Sequence, residues 1–106
     1  MRPYEERNQA TLEALLEAGA NPSMPHCIEH HFYAASEDIM ERVMALGRER
    51  GYEVANAGKD EEEWSLDLTI RSLPVIDELE RQSKEMEEIA EAASATYDGW
   101  GTEVET

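Results

Sequence analysis

Apolar residues recur along the chain with two periods, one typical of amphipathic helices and one typical of half-buried strands. A first helix is predicted from about Tyr4 to Ala18, because its leucines recur at i, i+3 and i+4 positions. Gly19 follows it, and glycine is common where a helix ends in a left-handed conformation. The prolines within residues 21–25 then favour an extended linker before the next element.

Two segments alternate between apolar and polar residues, as strands with one buried face do. In the run from His26 to Ala34, the residues on one predicted face are Ile28, His30 and Phe32. The opposite face carries Cys27, Glu29, His31 and Tyr33. The cleanest alternation runs from Trp64 to Arg71, and it gives the strongest strand prediction in the sequence.

The segments between these strands complete the order of elements. A second helix is predicted from its cap at Ser36 to Gly51, followed by a short strand over residues 52–55 and an exposed hairpin loop over residues 56–63. A third helix is predicted to begin at Pro74, and a last strand to cover residues 97–105.

This order of elements, a helix and then β-α-β-β-α-β, predicts an α+β fold of the ferredoxin-like sandwich type. Such a fold has a four-stranded antiparallel sheet with two helices packed on one face. The extra N-terminal helix comes in addition to it. The first and third strands should be central, which agrees with their clean alternation of apolar and polar residues.

The composition adds a strong negative charge to this picture. The 106 residues include 25 acidic against 9 basic side chains, a net charge of −16, which fits one small acidic domain. Nucleic acids and anionic membranes are poor partners, because binding them depends on basic residues, whereas a basic protein would be attracted. The single cysteine, Cys27, and the lack of an apolar leader segment predict a cytoplasmic protein.

Glu29, His30 and His31 raise the question of a metal or acid–base site. Neighbouring strand residues point to opposite faces, so the two histidines cannot readily bind one ion. Glu29 and His31 share a face, and Asp67 on another strand could join them as a third zinc ligand. The alternative is a polar exposed face beside one hydrogen-bonded core histidine. The sequence contains no phosphate-binding loop or nucleophile elbow, so an enzyme is not expected.

Two further features have both a structural and a functional interpretation. The segment from Tyr97 to Gly101 places two glycines around Trp100. It indicates either a bulged strand entry with Trp100 in the core, or a partly exposed Trp100 or Tyr97 that fills a pocket on a partner. The acidic runs at residues 60–63 and 85–91 indicate either a solvated surface or a docking surface for an arginine-rich segment.

Three stretches of the sequence resemble the ribonuclease E inhibitor B (RraB) family. They are Cys-Ile-Glu-His-His-Phe-Tyr at 27–33, Gly-Tyr-Glu-Val at 51–54 and Tyr-Asp-Gly-Trp-Gly-Thr at 97–102. The resemblance implies one RraB-like domain over residues 1–106, with an N-terminal helix and linker over 1–25 and a ferredoxin-like core over 26–106. The given sequence stops at Thr106 without the long acidic tail of enterobacterial relatives, and the acidic loop and third helix are expected to substitute for it.

The resemblance also implies a non-catalytic, cytoplasmic protein without a cofactor, which binds the basic C-terminal scaffold region of ribonuclease E and inhibits RNA decay. Direct contact with nucleic acid or membrane is not expected. The predicted partner-binding residues are Glu29, His31, Tyr97, Asp98 and Trp100, and the predicted steering residues are Asp60, Glu61, Glu62 and Glu63. The alternatives are an acidic adaptor for another basic protein and a small metal-dependent hydrolase that uses Glu29, His31 and Asp67.

Overall fold

The computed structural model of the chain describes residues 3–102. It contains three helices and four strands in the predicted order within these residues. The elements are α1 (Pro3–Glu17), β1 (His26–Ala34), α2 (Glu37–Glu49), β2 (Glu53–Asp60), β3 (Glu63–Ser72), α3 (Ile76–Ala93) and β4 (Thr96–Gly101). The predicted continuation of β4 beyond Thr102 lies outside the described residues.

The four strands form one antiparallel sheet in the order β2-β3-β1-β4, so β1 and β3 are central as predicted. This is the strand order of a ferredoxin-like sandwich. Residue by residue, β1 pairs with β3 from His26 opposite Ser72 to Ala34 opposite Trp64. The α+β prediction is therefore confirmed, and so are both predicted faces of β1.

The hydrophobic core lies between the sheet and the helices. Ile28, Phe32, Leu66 and Leu68 point into it from the two central strands and are at most 1% exposed. The helices contribute Met40 and Val43 from α2 and Leu79, Met86 and Ile89 from α3. Burial of these side chains is the main force that holds both helices on this face of the sheet.

The extra helix α1 extends the helical layer. It packs on α3 and on β4, where Leu12 joins a small cluster formed by Ile28, Leu79 and Trp100. Because these contacts lie on the helical side, α1 adds to that layer and leaves the other face of the sheet uncovered. No helix in the described part of the chain is both long and apolar enough for a transmembrane span.

The prediction of an exposed loop over residues 56–63 is wrong. Strand β2 continues to Asp60, and only a two-residue turn at 61–62 separates it from β3. The pairing with β3 is interrupted by a bulge between Ala55 and Gly58, where Asn56 adopts a left-handed conformation with φ of 52°. An edge strand needs only backbone pairing on one side, so polar residues and a bulge are compatible with it.

The predicted start of the third helix at Pro74 is also shifted in the structure. Helix α3 begins at Ile76, and Val75 precedes it with an extended backbone and no side-chain cap. Pro74 is instead fully buried in the connection from β3. The start of α2 follows the prediction, because the Ser36 hydroxyl accepts a hydrogen bond from the backbone N–H of Ile39 at 3.3 Å.

Candidate functional site

The sheet face that points away from the helices, here called the open face, carries the polar side chains of the central strands. On β1 these are Cys27, Glu29, His31 and Tyr33, and opposite them on β3 lie Arg71, Thr69, Asp67 and Ser65. Tyr33 is 38% exposed, and Cys27 and Arg71 are also exposed. The open face is therefore a polar surface that ligands can reach along β1 and at Arg71, whereas Asp67 and Thr69 are only 9% exposed.

The most ordered group on this face is a hydrogen-bonded chain of three side chains. His31 Nδ1 lies 2.6 Å from Asp67 Oδ1, and Asn56 Nδ2 donates to Asp67 Oδ2 at 2.8 Å. An ionised carboxylate can only accept, so Nδ1 of His31 carries the proton and donates it. The bulge in β2 brings Asn56 into this position. Together these contacts fix the His31 ring with Nε2 as the outward-facing nitrogen.

Two glycines lie beside His31 on the open face. In the pairing of β1 with β4, Gly99 is opposite His31 and Gly101 is opposite Glu29. The residue between them, Trp100, points to the helical side. On the open face, β4 therefore has no side chain at either of these two positions. Gly99 also has a φ of +110°, a backbone conformation that other residues rarely adopt.

A concave surface of about 1290 Å³ adjoins this region on the side of the β2–β3 hairpin. His31, Tyr33, Asn56 and Asp67 form its floor, and residues 61–63 form an acidic wall. The carboxylates of residues 61–63 form no ion pair with any described basic side chain. The surface is suited to a cationic ligand.

The structure does not assemble the three-ligand metal site proposed from sequence. Among the residues that the structure describes, no group of three His, Cys, Asp or Glu side chains could hold a metal ion. His31 and Asp67 do meet, but they bind each other, and Asn56 takes the remaining carboxylate oxygen. Glu29 remains outside this chain of hydrogen bonds.

The two aromatic residues predicted to bind a partner lie inside the protein. Tyr97 is 8% exposed and Trp100 is 9% exposed. Trp100 Nε1 donates to Asn8 Oδ1 at 2.6 Å, and β4 has a register shift opposite His31 and Phe32. This is the bulged strand with an anchored Trp100, the first of the two interpretations. Of the five residues predicted to bind a partner, Glu29, His31 and the exposed Asp98 remain at the surface.

Behind the open face, His30 is completely buried in a polar network. Its Nε2 lies 2.9 Å from Gln82 Oε1, and its Nδ1 lies 2.8 Å from the Tyr97 hydroxyl. The Gln82 amide nitrogen donates to Ser72 and Glu78, so its oxygen faces His30 and accepts from Nε2–H. Burial lowers the pKa of His30 to about 4, with the nearby His31 adding to this effect and the Gln82 hydrogen bond opposing it.

Sequence reasoning missed the polar partners of these buried rings. Asn8 on α1 accepts from Trp100 and donates to Ser83 Oγ at 2.9 Å. Gln82 and Ser83 are fully buried on α3. The available signal was their position between Leu79 and Met86, within the apolar stripe of the helix, where polar residues need hydrogen-bond partners.

Part of the acidic run on α3 is neutralised within the protein. Arg50, at the end of α2, approaches Glu85 at 3.5 Å and Glu88 at 3.2 Å, and the Tyr52 hydroxyl donates to Glu85 at 2.7 Å. Burial, followed by the interaction with Glu85, raises the pKa of Tyr52 above its usual range. These contacts join α2 to α3, so the acidic hairpin has more free negative charge than this part of α3.

Comparison with known proteins gives one consistent family. The family model described as "RraB: Regulator of ribonuclease activity B" matches residues 5–102. A protein of Xenorhabdus nematophila with the name Regulator of ribonuclease activity B is 34% identical over 102 residues, covering 92% of this chain and 72% of that protein. Proteins of the same name are 32% identical in Alteromonas mediterranea, with 96% and 86% covered, and 31% identical in Psychromonas ingrahamii, with 93% and 86% covered.

Proposed function

Because the chain belongs to the regulator of ribonuclease activity B family, we propose that it is a non-catalytic, cytoplasmic regulator that binds a ribonuclease and slows RNA decay. Its target is ribonuclease E, and the contact is made with the basic C-terminal scaffold region of that enzyme. The observation that carries the proposal is an acidic open face that no described helix covers, in a chain whose relatives are named as ribonuclease regulators.

The charges on the open face favour a basic polypeptide over RNA. Carboxylates of Glu29, Glu53 and Asp67 lie on this face, together with the acidic hairpin at residues 61–63. RNA would need cations for its phosphates and several exposed aromatic rings for stacking. Tyr33 offers one such ring, and the net charge of −16 repels a phosphate backbone. An arginine-rich segment that normally holds RNA would instead be attracted to these carboxylates.

A binding experiment with two fragments of ribonuclease E tests the partner. The full chain is titrated with the scaffold half and, separately, with the catalytic half. We expect binding to the scaffold half alone, and we expect it to weaken as salt increases from 50 to 300 mM, because screening shortens the reach of surface charges. Binding that does not change with salt would remove the electrostatic mechanism, and no binding to either half would refute the proposed target.

An activity measurement tests the regulatory part. Cleavage of a model RNA is followed with intact ribonuclease E and with the catalytic half alone, each with increasing amounts of the protein. Inhibition of the intact enzyme, and none of the catalytic half, is the expected result. Equal inhibition of both would place the contact on the catalytic half. Recovery of a different basic protein from lysate, without ribonuclease E, would favour the adaptor alternative.

A further inference from the structure

The open face contains a narrow strip of backbone without side chains, bordered by two acceptors that have no described partner, the Glu29 carboxylate and Nε2 of His31. We call it the glycine seam: Gly99 and Gly101 on β4, with Glu29 and His31 facing them on β1. We propose that the glycine seam binds an extended polypeptide segment through one arginine, whose guanidinium donates to His31 Nε2 and to the Glu29 carboxylate. The inference rests on the proposed function in its choice of a basic protein partner.

The two acceptor groups converge above Gly101. Glu29 lies directly opposite Gly101, and residues paired in this way have Cβ positions about 5 Å apart. His31 is two residues along the strand, yet its ring leans back, so that a Cβ atom built on Gly101 would be 3.5 Å from Nε2. Both acceptors therefore border the same space, which the missing side chain of Gly101 leaves open.

Neither acceptor is used within the described part of the protein. His31 has its only described hydrogen bond at Nδ1, and Glu29 has none and forms no ion pair. The contact with Asp67 places a proton on Nδ1, so in the neutral imidazole Nε2 presents a lone pair outward, and Asn56 holds Asp67 in place. Asp67 and Asn56 thus act as positioning residues for an acceptor that faces the solvent.

Arginine fits this pair of acceptors better than lysine does. Its guanidinium is a planar fork of donors that can reach two acceptors at once, and it is always charged. An imidazole lone pair next to a carboxylate offers two acceptors and one negative charge. These complement the paired N–H donors and the positive charge of the guanidinium. The bare backbone at Gly99 and Gly101 lets the segment that carries the arginine approach the sheet closely.

A single methyl group provides a direct test of the glycine seam. In Gly101→Ala the new Cβ is at ordinary contact distance from His31, and Gly101 does not require a positive φ, so the fold should be kept. The methyl group would occupy the space between the two acceptors. The matched control is Gly58→Ala on the opposite edge strand, where an added Cβ meets nothing within 4 Å.

The probe is the peptide Gly-Arg-Gly-Arg-Gly with blocked ends, added to the full ¹⁵N-labelled chain and followed by NMR. We expect saturable shifts at the amides of Gly99 and Gly101 and at the His31 ring. Gly101→Ala should reduce the affinity at least about tenfold, which corresponds to about 1.4 kcal/mol, and Gly58→Ala should leave it unchanged. The same peptide with lysine in place of arginine should bind more weakly.

Three results with the peptide would contradict the proposal that the glycine seam binds an arginine. They are no shifts, shifts concentrated at the acidic hairpin or α3, and equal binding by Gly101→Ala and the unchanged chain. A single-stranded RNA oligonucleotide that shifts the same amides more strongly than the peptide would also overturn it. The scaffold half of ribonuclease E is then tested separately: no binding by the unchanged chain refutes the proposed target, whereas the peptide result decides the seam independently.

Discussion

The buried imidazole of His30 gives the folded protein a stability that depends on pH. Its pKa is about 4 in the folded state, against 6.5 for an ordinary histidine. Between these values the unfolded chain binds more protons than the folded one, so the free energy of unfolding falls as the pH drops from 6.5 towards 4. From pH 7.5 to pH 5 this loss should be about 2 kcal/mol, at about 1.4 kcal/mol per pKa unit.

Urea unfolding at both pH values measures this loss, and His30→Gln is the control. The variant keeps every carboxylate, including that of Glu78, which accepts a hydrogen bond from Gln82. The difference in pH-dependent stability loss between the two proteins therefore measures the contribution of the His30 imidazole. The variant should be less stable at pH 7.5, because it disturbs the contacts with Tyr97 and Gln82. A decrease of the same size in both chains on acidification would show that His30 is not its cause.

Trp100 stabilises the protein through one hydrogen bond as well as through its buried area. In Trp100→Phe a smaller aromatic ring remains, but the buried Asn8 oxygen loses its donor, at a cost of about 1 to 3 kcal/mol. Trp100→Ala should cost about 3 to 5 kcal/mol. Because the ring lies on the helical side, Trp100→Phe should still bind the scaffold half at temperatures well below its melting point. If Trp100→Phe leaves the melting temperature unchanged but abolishes binding to the scaffold half, Trp100 contacts the partner directly.

The alternation of apolar and polar residues predicted which faces of β1 the functional side chains occupy, but not what these side chains bind. The sequence brings His31 and Asp67 together only as possible ligands of one metal ion, and it predicts a loop at Asn56, the third residue of the hydrogen-bonded chain. The contact of Trp100 with Asn8 joins residues 92 positions apart in the chain. Such contacts depend on how α1 docks, and no local pattern encodes that.

Among the secondary-structure elements, α2 approaches the sheet closely at Gly47. A Cβ atom at Gly47 would lie 2.5 Å from a methyl carbon of Leu68, which is itself fully buried. Gly47→Ala should therefore destabilise the protein by about 1 to 3 kcal/mol through overpacking, although alanine favours a helix by about 1 kcal/mol relative to glycine. Chemical unfolding of the purified variant gives the measurement.

A double-mutant cycle with Leu68→Ala separates the two effects at Gly47. Leu68→Ala removes the side chain that an added Cβ would strike, and this change alone should cost about 2 to 5 kcal/mol. In that background, Gly47→Ala should be neutral or stabilising, because the helix preference remains and the clash is gone. If Gly47→Ala destabilises both backgrounds equally, the close approach to Leu68 is not the reason for glycine at this position.

The elements differ in how well their sequences predicted them, and position in the sheet explains the difference. Strand β1 has the predicted bounds, and β3 is longer than predicted by one residue at each end. Both are central, so one whole face is buried and must be apolar. Strand β2 is an edge strand whose bulge at Asn56 breaks the alternation. Backbone pairing with β3 does not require particular residue types, so the sequence predicts a strand that ends at residue 55, whereas β2 continues to Asp60.

At the scale of the whole molecule, the net charge of −16 acts against the compact state. The ion pairs of Arg50 and Arg81 with glutamates of α3 reduce the repulsion between carboxylates only locally. Added salt should therefore raise the melting temperature, because it screens repulsion among carboxylates spread over the surface. Most of the increase should occur between 10 and 200 mM NaCl, where the Debye length shortens from about 30 Å to below about 10 Å.

The shape of this salt dependence distinguishes screening from the general strengthening of hydrophobic burial by salt. Screening saturates once the Debye length is shorter than the spacing between charges, whereas salting-out grows steadily with concentration. A thermal-unfolding series in NaCl should therefore rise steeply and then level off. A fall in melting temperature at low salt would mean that the arginine pairs outweigh the repulsion. In that case the excess negative charge would not act against folding. Its attraction of a basic partner would then be measured only from the association rate of the two proteins.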